Sequence, residues 1–294
     1  MTYSKTIMTS LAAGFIVVQA QAATIDFNGN GATSEWNVGT SWSGNVAPIS
    51  GDTARLQFGD DATVTSAVNA GNFSILQRNS ATLAISADFK TVLAYDLGSS
   101  GDGDTTTTHT NGLLVGRTLR MGNDSSADTY EARYTISGGT TRFTTAVTIA
   151  KNGIFEIDGT GGNIQFNNGG TSAVTLGDGT ISYKLGAAGV SAITNLGSGG
   201  TFTIGSGSKL LIDASNYTGG ISAIDLAVSY SNIVGTFTEG NISITGLDAG
   251  LSGDITYDTG SFALSIVPEP GTYTLLGGLF ALIYVMLRRR EAKA

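Results

Sequence analysis

Between Leu113 and Asp213 the apolar side chains come in short alternating runs, each ended by Gly, Asn, Asp or Ser. Leu119-Arg120-Met121-Gly122-Asn123-Asp124 is followed by Val147-Thr148-Ile149-Ala150-Lys151-Asn152-Gly153. Val174-Thr175-Leu176-Gly177-Asp178-Gly179 and Phe202-Thr203-Ile204-Gly205-Ser206-Gly207 come next. Alternation of period two puts every second side chain on one face of an extended strand. The small polar residues after each run supply turn chemistry. The central residues Met121, Ile149, Leu176 and Ile204 lie 28, 27 and 28 positions apart, and an echo of that length indicates stacked units.

Each unit carries further strand candidates. Tyr134-Thr135-Ile136, Ile154-Phe155-Glu156-Ile157, Ile181-Ser182-Tyr183 and Leu210-Leu211-Ile212 form a second set. Gly138-Gly139 and Gly161-Gly162 then turn the chain toward a third segment, such as Asn163-Ile164-Gln165-Phe166. Three short strands per unit predict an all-β fold, a right-handed parallel β-helix of about 28-residue coils. About eight coils stacked at ~4.8 Å would make a rod of roughly 40 Å. An antiparallel β-sandwich is the alternative, because its turn spacing is nearly as compatible. Residues 36–58 are a candidate cover for one end of the rod, and a hairpin over 254–266 for the other.

Composition supports strands and narrows partners. The chain has 42 Gly and only 13% charged residues, with Thr, Ser, Val and Ile abundant. Setting aside Lys5, Arg288, Arg289, Arg290, Lys293 and Glu291 leaves 10 basic against 22 acidic residues, a balance of −12. Such a body repels phosphate backbones, so nucleic acid is excluded as an expected partner. Without cysteine there is no disulfide, thiolate metal site or cysteine nucleophile.

The ends read as targeting segments. Lys5 precedes an apolar stretch over residues 11–18, and Ala20-Gln21-Ala22 offers small residues to a signal peptidase. Residues 1–22 are therefore expected to be a signal peptide, followed by an ectodomain over 23–266. At the other end Pro268-Glu269-Pro270 is stiffened toward extended geometry by its prolines. An apolar run over 272–287 follows, then Arg288-Arg289-Arg290. Those 16 residues would make a helix of about 24 Å at ~1.5 Å per residue. That is short for a ~30 Å hydrocarbon core, but snorkelling arginines and a thinned bilayer make a transmembrane helix the expectation. The arginines would hold its end cytoplasmic and leave the rest of the chain outside.

Motif, short helix and basic stop, in that order over 267–290, resemble the PEP-CTERM sorting signal of Gram-negative bacteria. The resemblance implies recognition of Pro268-Glu269-Pro270 by a membrane-embedded exosortase and removal of the helix. The body would then be delivered to the cell surface, in species that commonly secrete exopolysaccharide. Trp36-Asn37, Trp42-Ser43-Gly44-Asn45-Val46-Ala47-Pro48 and Gly51-Asp52-Thr53-Ala54 resemble the opening of autotransporter-associated β-strand repeat proteins. No terminal barrel domain accompanies them, so export is expected to depend on the C-terminal signal.

Candidate chemistry is sparse. His109, the one histidine, falls in a threonine-rich stretch read as a solvated loop, and a Ser-His-Asp triad would need it. Asp102 and Asp104 could offer oxygens to Ca²⁺, but without a following bidentate Glu no metal or cofactor is assigned. Glu156 with Asp158, or Glu131 with Asp128, could form the carboxylate pair of a polysaccharide hydrolase or lyase. Two positions apart on a strand, Glu156 and Asp158 share a face. An acidic outer face is the simpler reading, since no Lys or Arg cluster accompanies them in sequence. Trp36, Trp42 and Tyr130 could stack on sugar rings, although tryptophan more often packs a cap. The expectation is a non-enzymatic, structural or adhesive surface protein. A polysaccharide-active enzyme and a permanently anchored single-pass envelope protein are the alternatives.

Overall fold

Inward and outward alternation builds the walls of this protein. The computed structural model describes residues 22–29, 34–68, 71–99, 103–123, 129–166, 173–197 and 199–291. Lys5, residues 11–18 and Ala20 lie outside these, as do Asp102 and Asp128.

The strands coil into a parallel β-solenoid of about seven turns. One wall is an eight-stranded sheet in which Asp61–Val64, Thr82–Ile85, Thr105–His109, Ala132–Ile136, Gly153–Asp158, Thr180–Lys184, Lys209–Asp213 and Ile242–Thr245 are successive neighbours. A 14-stranded sheet forms the rest of the wall. Its strand Gly139–Ile149 shows how it turns a corner. The first half pairs with Gly162–Phe166 and the second with Ala173–Leu176, and the register shifts between Phe143 and Ala146. A bulge at that point bends the strand. In later turns the same corner separates two strands, giving the expected three per coil.

The sequence echo is the stacking repeat itself. Met121 pairs with Ile149, Ile149 with Leu176, and Leu176 with Ile204. All four are buried. Coil length nevertheless varies: Ile75 pairs with Tyr95, 20 positions on, and Leu210 with Ile242, 32 positions on. Only the strand segments must register, so turns absorb the difference.

The sandwich alternative is overturned. Strand pairings among the described residues are parallel except at the C-terminal end, where Leu251–Asp258 and Ser261–Pro268 form a hairpin against Ala223–Val228. This hairpin contains the predicted 254–266 segment and covers the last coil. At the other end Trp36 and Trp42 are buried, with ring centroids 4.7 Å apart, and pack against Phe27, Phe73 and Phe89. The Trp42 Nε1–H donates to the Trp36 carbonyl at 2.7 Å. Both tryptophans are cap residues and neither is a sugar platform. Between the caps runs a buried aromatic column, in which Tyr134 stacks on Phe155 at 5.3 Å and Phe155 meets Phe166 edge-on at 5.2 Å.

Helix Pro270–Glu291 follows the hairpin. Proline suits its first turn, where an amide hydrogen would have no intrahelical acceptor. Among the described residues no helix is long and apolar enough to cross a membrane, which corrects the transmembrane reading of residues 272–287. The continuous apolar run begins only at Leu275, contains Gly277-Gly278 and stops at Leu287. A spanning helix takes about 20 such residues.

Candidate functional site

Phe155 and Ile157 point into the core from strand Gly153–Asp158, so Glu156 and Asp158 share the outer face, as alternation requires. Their environments differ sharply. Asp158 is exposed, whereas the Glu156 side chain is only 6% exposed. Arg133 donates to Glu156 Oε2 at 2.8 Å from the preceding coil, and Lys184 donates to Oε1 at 2.8 Å from the following one. The Thr135 hydroxyl, in register with Glu156, adds a bond to Oε1 at 3.3 Å. Arg133 also reaches Glu131 Oε2 at 3.1 Å. The cationic cluster missing from the local sequence is thus supplied by neighbouring coils. Both oxygens of Glu156 are engaged, which makes it a clamp across three coils. Asp213, one coil beyond Lys184, has its carboxyl held below the usual range by the Ser215 hydroxyl and amide, with Lys184 assisting.

Beside this clamp, at the corner where chains enter the eight-stranded wall, lies a groove of about 390 Å³. Successive coils contribute Thr129 and Glu131, then Lys151, Asn152 and Ile154, then Asp178 and Thr180, then Gly207 and Lys209. The corner is shaped by left-handed residues, Asn152 at φ 65° and Asp178 at φ 61°. Asp178 Oδ1 accepts the Gly207 amide at 2.9 Å, tying two coils together at the groove floor. Tyr130, between two lining residues in the chain, is exposed.

His109 is not a loop residue. It ends strand Thr105–His109 and is fully buried, with Thr105 and Thr107 on the same inward face. Its Nε2 lies 3.3 Å from the Gly112 carbonyl, which can only accept, so Nε2 carries the proton. Nδ1 is then the acceptor, 3.0 Å from the Tyr134 hydroxyl and 2.8 Å from the Thr141 hydroxyl, which lie 2.8 Å from each other, so that one hydroxyl donates to the ring and the second to its neighbour. Burial lowers its pKa. A second buried polar group lies nearby: the Tyr95 and Thr107 hydroxyls donate to Gln77 Oε1 at 2.7 and 3.0 Å. Fully buried and bonded within the coil, His109 is a core polar residue.

The remaining sites fall at the ends. Asp104 accepts the Glu131 amide at 2.8 Å. Among the described residues no three His, Cys, Asp or Glu side chains are placed to hold a metal. Ala22 and Ala23 are exposed, and the Ala23 amide donates to Asp52 Oδ1 at 3.2 Å just before strand Thr24–Asp26 joins the sheet. Pro268 is the last residue of its strand, opposite Leu251, and the Glu269 amide donates to the Gly250 carbonyl at 2.8 Å. Pro270 opens the helix, so the motif is a strand-to-helix junction instead of the free extended peptide expected. Past it, Leu275, Leu279, Phe280, Leu282, Ile283, Tyr284, Val285, Met286 and Leu287 are all exposed, Leu275 at 77%. Arg288 follows them at the helix end. Comparison with protein-family models, with curated proteins and with solved structures finds no match.

Proposed function

We propose that this is an exported, non-enzymatic protein of the cell surface or matrix, a rigid acidic β-rod with a structural or adhesive role alongside exopolysaccharide. The winding is right-handed on this reading, as crossovers between parallel strands almost always are. A signal peptidase cuts after Ala22 and an exosortase acts at Pro268-Glu269-Pro270, the inner membrane being a transient partner.

One observation carries the reading: the last described strand ends at Pro268, and the helix that follows it exposes nine large apolar side chains between Leu275 and Leu287. Nine large apolar side chains there, worth about 1.5 kcal/mol or more each on burial, favour a lipid surface over water. Cleavage at the junction would remove that liability and leave every sheet pairing in place. The N-terminus is arranged likewise. A cut after Ala22 would turn the Ala23 amide into an ammonium beside the Asp52 carboxylate, adding an ion pair at the first strand.

The test is the variant Pro268→Ala/Glu269→Ala/Pro270→Ala, expressed in a Gram-negative host that has an exosortase. The variant chain is expected to stay in the membrane fraction at its unprocessed size, while the parent is shortened and displayed. Identical shortening and display of both chains would refute the proposal.

A further inference from the structure

The groove over Thr129, Glu131, Lys151, Asp178 and Lys209 is lined by two lysines and two carboxylates. Acidic residues outnumber basic ones 23 to 15 in the chain, yet this groove carries two lysines that form no ion pair among the described residues. Arg55, Lys90, Arg133 and Lys184 are paired with carboxylates, while Arg78 and Arg142 bond the side-chain amides of Gln57 and Gln165. An ammonium that forms no ion pair of its own in a concave site is open to an anionic group brought from outside, even with two carboxylates in the same lining.

We infer that the groove binds an acidic glycan, with uronate carboxylates taken by Lys151 and Lys209 and ring hydroxyls by the polar lining. The inference rests on the surface-protein reading and adds a site and a ligand class to it. Lys151 and Lys209 stand two coils apart, on the order of 10 Å along the rod at ~4.8 Å per coil. That spacing suits charges on alternate residues of an extended pyranose chain lying along the axis. Glu131 and Asp178 each use one carboxylate oxygen within the protein, at Arg133 and at the Gly207 amide. Their other oxygens can accept sugar hydroxyls, and the Thr129 and Thr180 hydroxyls can donate or accept. The volume of about 390 Å³ is that of a small-ligand site, enough for a short stretch of glycan. Mixed charge also explains selectivity: the carboxylates oppose densely sulfated or phosphorylated chains, while a sugar with one carboxylate per residue fits.

The test uses the full chain in detergent micelles, titrated with oligogalacturonate, a neutral glucan oligomer of equal length and inorganic sulfate. Oligogalacturonate is expected to bind, at least tenfold more weakly when salt is raised from 50 to about 200 mM. The variant Lys151→Gln/Lys209→Gln should lose at least tenfold in affinity with an unchanged circular dichroism spectrum and melting temperature. Glu156→Gln, outside the groove, should bind as the parent does. Equal binding of the neutral glucan, equal or tighter binding of sulfate, undiminished binding by the lysine variant, or no binding at all would overturn the inference. Absence of binding with normal tail processing defeats this inference alone. Persistence of binding with no tail processing defeats the sorting proposal alone.

Discussion

Glu156→Gln is the sharpest probe of how the outer wall is held. The carboxylate is almost fully enclosed and accepts two charge-assisted bonds, from Arg133 and Lys184, each at 2.8 Å. Such bonds contribute roughly 1.5–3 kcal/mol each before compensation. Compensation is substantial. Gln keeps an acceptor oxygen, Arg133 keeps Glu131, and the Lys184 side chain, 44% exposed, can return to water. The remaining cost is about 2 kcal/mol, which for a chain of this size lowers the melting temperature by about 4–8 °C. Thermal unfolding followed by circular dichroism measures it. Glu156→Leu should cost more, about 3 kcal/mol, because two cations would then face an apolar side chain. The companion assay is release of reducing ends from exopolysaccharide, expected at background for parent and variant alike. A melting temperature within 1 °C of the parent, or reducing ends released by the parent and lost in the variant, would refute the clamp.

Three further outcomes follow from the core and caps. Burial keeps the folded His109 imidazole neutral and below its ordinary value of 6.5, so the unfolded chain takes up a proton first on acidification. Stability should be intact above about pH 6.5 and fall as the pH drops below it; His109→Gln, which can keep both hydrogen-bond roles, should flatten that slope in urea titrations between pH 7 and 5. Trp42→Ala removes the centre of the N-terminal cap and should cost about 3–5 kcal/mol, exposing a strand edge that light scattering would detect as oligomers. Gly139 has φ 73°, and a Cβ there would sit 2.5 Å from the Gly112 carbonyl of the adjacent coil. Gly139→Ala should therefore lower the melting temperature by several degrees, whereas Gly159→Ala, at φ 67° but in open space, should cost less.

The fold was legible because stacking leaves a trace in the chain. Met121, Ile149, Leu176 and Ile204 occupy one column, so their spacing along the sequence is the length of a coil. The outer-wall chemistry left no such trace. Arg133 and Lys184 reach Glu156 from 23 and 28 positions away, and nothing within strand Gly153–Asp158 announces them. His109 was misread because Thr105-Thr106-Thr107-Thr108-His109 looks uniformly polar. The signal available was its register: Thr107 and His109 fall opposite Leu83 and Ile85, two inward residues of the previous coil. The strand conformation of Pro268 was not legible, since the hairpin read from the sequence over 254–266 stops short of the Leu251–Pro268 pair that extends it.

The intact mass of the protein displayed on exosortase-bearing cells tests the central claim most directly. The expected species begins at Ala23 and ends within or next to Pro268-Glu269-Pro270, retaining the whole solenoid and none of Leu275 to Leu287. A displayed species that keeps those residues would contradict it.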